Sequence, residues 1–148
     1  MSRILVTGMS GTGKTTLLEE LARRGHHTVD TDYGGWTRSD GTWDESRMDE
    51  LLTRPDVIVS GTVENQGKFY DRFQHVVLLT APLAELIGRV QRRTNNPYGK
   101  SSAEQAEIAH YVRTVEPLLR SGATLELDTR RRVAELADMI EGLVRSGV

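Results

Sequence analysis

An apolar stretch, Ile4-Leu5-Val6, runs into Gly8-Met9-Ser10-Gly11-Thr12-Gly13-Lys14-Thr15, and Leu17, Leu18 and Leu21 follow at helical spacing. No other feature of the chain narrows its fold so far. The eight residues satisfy G-x-x-x-x-G-K-[ST] in full, between a predicted strand and a predicted helix. Glycines let backbone approach an anion closely and adopt turns denied to other residues. The N–H groups of such a loop, with the helix N-terminus behind it, form a phosphate cradle. In that cradle Gly8, Ser10, Gly11, Thr12, Gly13 and Thr16 are nucleotide-binding candidates. Lys14 reaches the terminal phosphates and Thr15 offers a hydroxyl to Mg²⁺.

The rest of the chain repeats the strand–helix alternation. Strands are predicted over His26–Asp30, Asp56–Gly61, His75–Ala81 and Ala123–Asp128. Helices are predicted from Lys14 to Arg24, Ser46 to Thr53, Pro82 to Arg92, Ser102 to Leu119 (ended or kinked by Pro117) and Arg131 to Val144. Alternation of this kind implies an α/β fold, a parallel sheet with helices on both faces. At 148 residues the chain is expected to form one domain. Residues 31–45 and 93–102 carry no periodicity, and irregular stretches of that length tend to be functional.

Composition removes several classes. With 19 basic and 21 acidic residues the net charge is −2, without the basic excess of a nucleic-acid binder. There is no cysteine, which excludes disulfides, thiolate metal sites and cysteine nucleophiles. No apolar run approaches the ~18 residues of a membrane span or the core of a leader peptide. A cytoplasmic enzyme, monomeric or homodimeric, is expected. The histidines His26, His27, His75 and His110 show no metal-ligand spacing.

Three nucleotide-using classes remain. Asp32-Tyr33-Gly34-Gly35 spells the D-x-x-G of a GTPase, but the chain has no N-K-x-D base-reading motif. A motor ATPase needs a carboxylate ending an apolar strand, and the strands here run into Ser60 and into Thr80-Ala81. The acidic pair is Asp30 and Asp32, at the carboxyl end of the second strand, where ligands bind in parallel sheets. One of the two can steady a metal shell while the other accepts a proton from an incoming hydroxyl.

The phosphate loop, "VDTD", the arginine-rich "RVQRRTNNPYGK" and "ATLELDTRRRVAEL" follow one another in the order of small P-loop kinases. The chain resembles the group that includes shikimate kinase, gluconate kinase and the adenylate-kinase-like enzymes. The resemblance implies a five-stranded parallel sheet ordered 2-3-1-4-5, a substrate-binding segment over residues 31–54 and a lid over residues 93–102. It implies ATP and Mg²⁺ as cofactors, Thr15 and Asp30 at the metal, and Lys14, Asp32, Arg89 and Arg93 as catalytic residues. It places Arg92 near the transferring phosphate and the loop from Asp128 to Arg132 beside the adenine.

The resemblance stops short of an acceptor. The glycine triplet of shikimate kinases is replaced by "SGTVENQGKFY", and their R-x-P-L-Y by Val115-Glu116-Pro117-Leu118-Leu119, without the arginine that would hold a carboxylate. The proline–arginine pair of adenylate kinases is missing too. Present instead are Glu64, Asn65 and Gln66, with Tyr33, Trp36 and Trp43 in the other segment. Amides read hydroxyls and ring edges, and aromatic rings supply stacking faces; either tryptophan is equally explained by packing. The expected reaction is transfer of the γ-phosphate of ATP to a small molecule such as a nucleoside, sugar or polyol. A nucleoside monophosphate kinase and a nucleotide-binding regulatory protein are the alternatives.

Overall fold

The computed structural model describes residues 2–9, 11–94 and 97–146. Its elements are β1 (Ser2–Gly8), α1 (Lys14–Arg23), β2 (Thr28–Asp30), α2 (Glu45–Leu51), β3 (Asp56–Ser60) and a 3-10 helix (Gln66–Arg72). They continue with β4 (His75–Thr80), α3 (Leu83–Arg92), α4 (Ser102–Thr114), α5 (Glu116–Gly122), β5 (Leu125–Asp128) and α6 (Val133–Ser146). The five strands form one sheet in the order β2-β3-β1-β4-β5, all neighbours parallel. This is the architecture expected from the resemblance.

The period of two along each strand sorts the core into two layers. Ile4, Val6, Ile58, Val77 and Leu79 pack under α1 and α6 with Leu17, Leu21 and Ile140. Leu5, Val57, Val59 and Val76 face the other way, against Trp43, Met48 and Phe69. Leu78 and Leu86 join Leu119 of α5 on that second face. Strands buried on both sides need apolar centres, which Ile4–Val6 of β1, Val57–Val59 of β3 and Val76–Leu79 of β4 supply.

Two local differences from the sequence reading have clear causes. The predicted long helix divides at Val115, because Pro117 sits in the first turn of a new helix where its missing N–H is harmless. The first of the two, α4, starts with a capping box: Ser101, rather than Ser102, accepts from the Glu104 N–H, and the Glu104 carboxylate accepts from the Ser101 N–H. The 3-10 helix has no periodic signature. It is held by Gln66, whose side chain accepts from the Val63 N–H at 2.9 Å and donates to the Tyr70 hydroxyl at 2.8 Å.

Candidate active site

The phosphate loop leaves β1 at Gly8, between the ends of β3 and β4. A Cβ on Gly8 would lie 2.6 Å from the Leu79 carbonyl oxygen and 2.9 Å from Thr12 Oγ1, so no side chain fits. Gly13 caps α1 in the left-handed region, with φ of 93°. Side chains then hold the loop from all sides. Thr12 Oγ1 donates to the Met9 carbonyl at 2.8 Å. Thr62 accepts from the Gly8 N–H at 3.2 Å and donates to the Gly8 carbonyl at 2.7 Å. Lys14 Nζ donates to the same carbonyl at 2.6 Å. Gly11 belongs to the turn, Thr16 is exposed on α1, and Ser10 lies outside the described residues.

Asp30 ends β2 and accepts a 2.8 Å hydrogen bond from Thr15 Oγ1. Ser60 is in register with both Asp30 and Val6. By strand periodicity it shares the Ile58 face, which α1 covers, and its buried hydroxyl has no partner among the described residues. A hydroxyl, a carboxylate and an unpaired hydroxyl at the foot of a phosphate loop fit a magnesium ion, which takes few protein oxygens and keeps waters and phosphates. No group of three or more His, Cys, Asp or Glu that could hold a metal occurs among the described residues.

Beyond the loop opens a cavity of about 1050 Å³, whose lining includes Gly8, Met9, Lys14, Asp32, Thr62 and Glu64. The carboxylate of Asp32 accepts no hydrogen bond among the described residues. Its pKa is raised, mainly by burial in the cavity wall and further by Asp30, with Lys14 opposing. Burial lowers the Lys14 pKa; Asp32 and Asp30 hold it up, and Arg93 adds to the depression. The lysine and the aspartate thus act on each other across one space.

Other candidate residues are placed less directly. Arg89 turns its guanidinium onto the loop's outer side, donating to the Gly11 carbonyl at 3.2 Å and to Thr129 Oγ1 and carbonyl at 2.8 and 2.7 Å. It is a staple between α3, the loop and the end of β5. Arg93 is the C-cap of α3, not a partner on the Arg89 face; it donates to the Tyr98 carbonyl at 2.9 Å. Arg92 is exposed and folds back over Gly88. Asp128 is paired with Arg130 at 2.6 Å, which holds its carboxyl down at about 2.

Of the residues expected to meet an acceptor, Glu64 lines the cavity, but Asn65 and Gln66 are spent on the fold. Asn65 accepts from the Trp43 N–H at 2.9 Å and donates to the Trp43 carbonyl and Glu45. Gln66 Nε2 donates to Thr7 Oγ1 at 3.1 Å, leaving its amide fully committed at the cavity floor. Trp43 is fully buried and donates to Thr31 Oγ1 at 2.9 Å. Trp36 stands outside this cavity, beside a separate pocket of about 420 Å³, with the Arg47 guanidinium 4.2 Å above its ring. Tyr33 is 58% exposed and does not line the cavity. Tyr111 falls in no segment that the sequence singled out for a site, and the crossovers of the chain bring it to the cavity. Asp40, Thr62, Tyr98 and Thr129 lie within the expected substrate segment, the stretch after β3, the lid and the post-β5 loop, but no motif marks them individually.

Fold, loop and acidic pair together define a P-loop nucleotide-binding protein. The family model described as "AAA domain" matches residues 4–110, and the chain belongs to that family. Comparison with curated protein sequences finds no match. Among solved structures, shikimate kinase from Acinetobacter baumannii in complex with shikimate superposes with a TM-score of 0.74 at 22% identity, over 99% of this chain and 94% of that one. Shikimate kinase from Bacteroides thetaiotaomicron gives 0.73 at 20% identity, over 97% and 98%. A gluconokinase from Sinorhizobium meliloti 1021 gives 0.64 at 18%, over 99% and 98%. The chain therefore has the fold of small P-loop kinases. No helix among the described residues is long and apolar enough to cross a membrane.

Proposed function

We propose that this protein is an ATP-dependent phosphotransferase that moves the γ-phosphoryl group to a hydroxyl of a small molecule. The observation that carries the reading is a free carboxylate, Asp32, sharing a cavity of about 1050 Å³ with the phosphate-loop lysine. A hydrolase needs room for one water, whereas this space takes a whole acceptor. The kinase fold of the neighbours supports the same reading. So does the position of the metal-side carboxylate: it ends β2, as Asp30, while β3 and β4 end in Ser60 and Thr80.

Phosphoryl transfer is mostly positioning and charge stabilisation. The loop N–H groups hold the phosphate tail. Lys14 exchanges its present carbonyl partners for the β/γ-phosphates and absorbs charge on the transferring group. Thr15 and Asp30 would hold Mg²⁺, which when bound neutralises phosphate charge. Asp32 receives the acceptor hydroxyl, orients it and accepts its proton; a carboxylate with a raised pKa is the better base for this. Residues 93–102 act as a lid that excludes water. Tyr98, which lines the cavity, and Arg93, whose charge reaches Lys14, support that role, while Asn95 and Asn96 lie outside the described residues. ADP formation from Mg·ATP, assayed across nucleosides, sugars and other alcohols, tests the reading. Activity with at least one acceptor, lost in Lys14→Ala, supports it; ATP binding without turnover on any of them refutes it.

A further inference from the structure

The loop settles which end of the cavity takes phosphate; charge decides what the other end accepts. Asp32, Asp40 and Glu64 line that end, and among the described lining residues Lys14 is the single cation. Its ammonium is engaged at the phosphate loop. Several cations on the surrounding elements are committed elsewhere, while Arg38 acts on Asp40 through space. Lys68 pairs with Glu45 at 3.1 Å, and Arg120 with Glu116 and Glu126 at 3.0 and 2.8 Å. Lys100 donates to the Gln91 and Arg93 carbonyls at 2.8 and 2.7 Å. Glu64 makes no ion pair among the described residues. Asp40 accepts from the Thr42 hydroxyl and N–H, which, with Arg38 nearby, keeps it ionised. The cavity thus carries a surplus of negative charge.

The rest of the lining is of another kind, for Tyr70, Tyr98, Ile108, Tyr111 and Leu118 border the same cavity. Tyr111 and Leu118 are 44% and 68% exposed, among the few large apolar side chains left in water within the described residues. Apolar surface concentrated inside a cleft marks a binding face, and tyrosine rings in one cavity with carboxylates favour an organic cation.

We propose that the acceptor is a hydroxyl-bearing organic amine, bound protonated, with an apolar or aromatic body. This rests on the kinase reading. The ammonium group lies between Asp40 and Glu64, the body lies on Tyr111 and Leu118, and the hydroxyl meets Asp32. In the transfer step the hydroxyl proton goes to the Asp32 carboxylate and the acceptor oxygen bonds to the γ-phosphorus. The bond from that phosphorus to the bridging oxygen breaks, and its electron pair leaves on ADP. A carboxylate or phosphate acceptor would instead meet three carboxylates, with Lys14 turned to the phosphate loop.

Two matched sets test the charge rule: glucosamine, glucose and gluconate; and phenylalaninol, 3-phenylpropane-1,2-diol and phenyllactate. ADP formation is measured with Mg·ATP, and binding is measured by titration with a non-hydrolysable ATP analogue present. In either readout the amine is expected to exceed the acid at least tenfold, with the neutral alcohol between them. In the Asp40→Asn/Glu64→Gln double variant the preference for amine over neutral alcohol is expected to fall about tenfold. An acid preferred over its amine, or a preference unchanged in the double variant, overturns the proposal while leaving the kinase reading in place. Failure of both amines to bind also overturns it. A separate titration of the ATP analogue into wild type and Lys14→Ala then reports on the nucleotide site alone.

Discussion

The phosphate end of the cavity is backbone, clamped by hydrogen bonds that the loop makes with its own neighbours, whereas the acceptor end is side chains from segments far apart in sequence. At the phosphate end Thr12, Thr62, Lys14 and Arg89 all contact loop carbonyls or N–H groups. At the acceptor end Asp32 and Glu64 are exposed, and Tyr111 and Leu118 present apolar surface to water. The difference teaches where rigidity is needed. A phosphate tail is the same in every ATP-using protein and can be met by a fixed cradle. An acceptor varies, so its site is built from side chains that can change without disturbing the sheet.

Breaking the fixed end is expected to produce the largest effect. Lys14→Ala removes a transition-state contact worth about 10²–10³ and a charged binding contact worth about 10². We therefore expect kcat/KM for ATP to fall by about 10⁴–10⁵ while the circular dichroism spectrum is unchanged. A loss under tenfold would contradict the assigned role.

Next comes the boundary between the two ends. Asp32→Asn is expected to lower kcat by about 10²–10⁴, with the affinity for an ATP analogue held within about threefold. Because burial raises the Asp32 pKa, the acid limb of the wild-type pH–rate profile should lie above the ordinary carboxylate range and vanish in the variant. The sign for stability is opposite. A carboxyl group with a raised folded-state pKa favours folding below its unfolded pKa, and that contribution is lost as pH rises through the folded value. Asp32→Asn should therefore leave the protein at least as stable as wild type at pH 7, measured by urea unfolding. A destabilised variant would make Asp32 structural.

Arg89 sharpens the contrast at the level of folding. Its guanidinium is a charged donor to loop and Thr129 acceptors, so Arg89→Ala should cost about 2 kcal/mol in urea unfolding. Arg89→Lys should recover less than half, since an ammonium cannot reproduce the fork. The smallest effect belongs to Trp36. It lies outside the cavity, half-buried against the core with Arg47 over its ring, so Trp36→Ala should cost about 1–2 kcal/mol of stability but change acceptor KM by less than twofold. A large KM change there would return the residue to the acceptor site.

The phosphate end was legible because its chemistry is contiguous: eight adjacent residues, flanked by an apolar strand and a helix. Strand order followed from the family resemblance, and Asp30 and Asp32 from their place after β2. Arg89 and Arg93 looked equivalent from their spacing of four, yet the helix ends between them, so one staples the loop and the other caps α3. Trp36 and Trp43 also looked alike. Across the antiparallel bridge between Thr37 and Trp43, the Trp43 ring is fully buried in the core while Trp36 packs half-buried at its edge.

The sequence by itself determined a parallel α/β fold, a phosphate loop after β1 and an acidic pair, Asp30 and Asp32, at the end of β2. Local chemistry sufficed for these, since backbone conformation and strand ends are set by neighbours in the chain. Only the tertiary structure decided that Gln66 and Asn65 brace the fold, that Thr62 and Arg89 hold the loop, and that Asp40, Glu64, Tyr98 and Tyr111 share a cavity. Those groupings join residues tens of positions apart, and side-chain burial and charge balance exist only once the crossovers have brought them together.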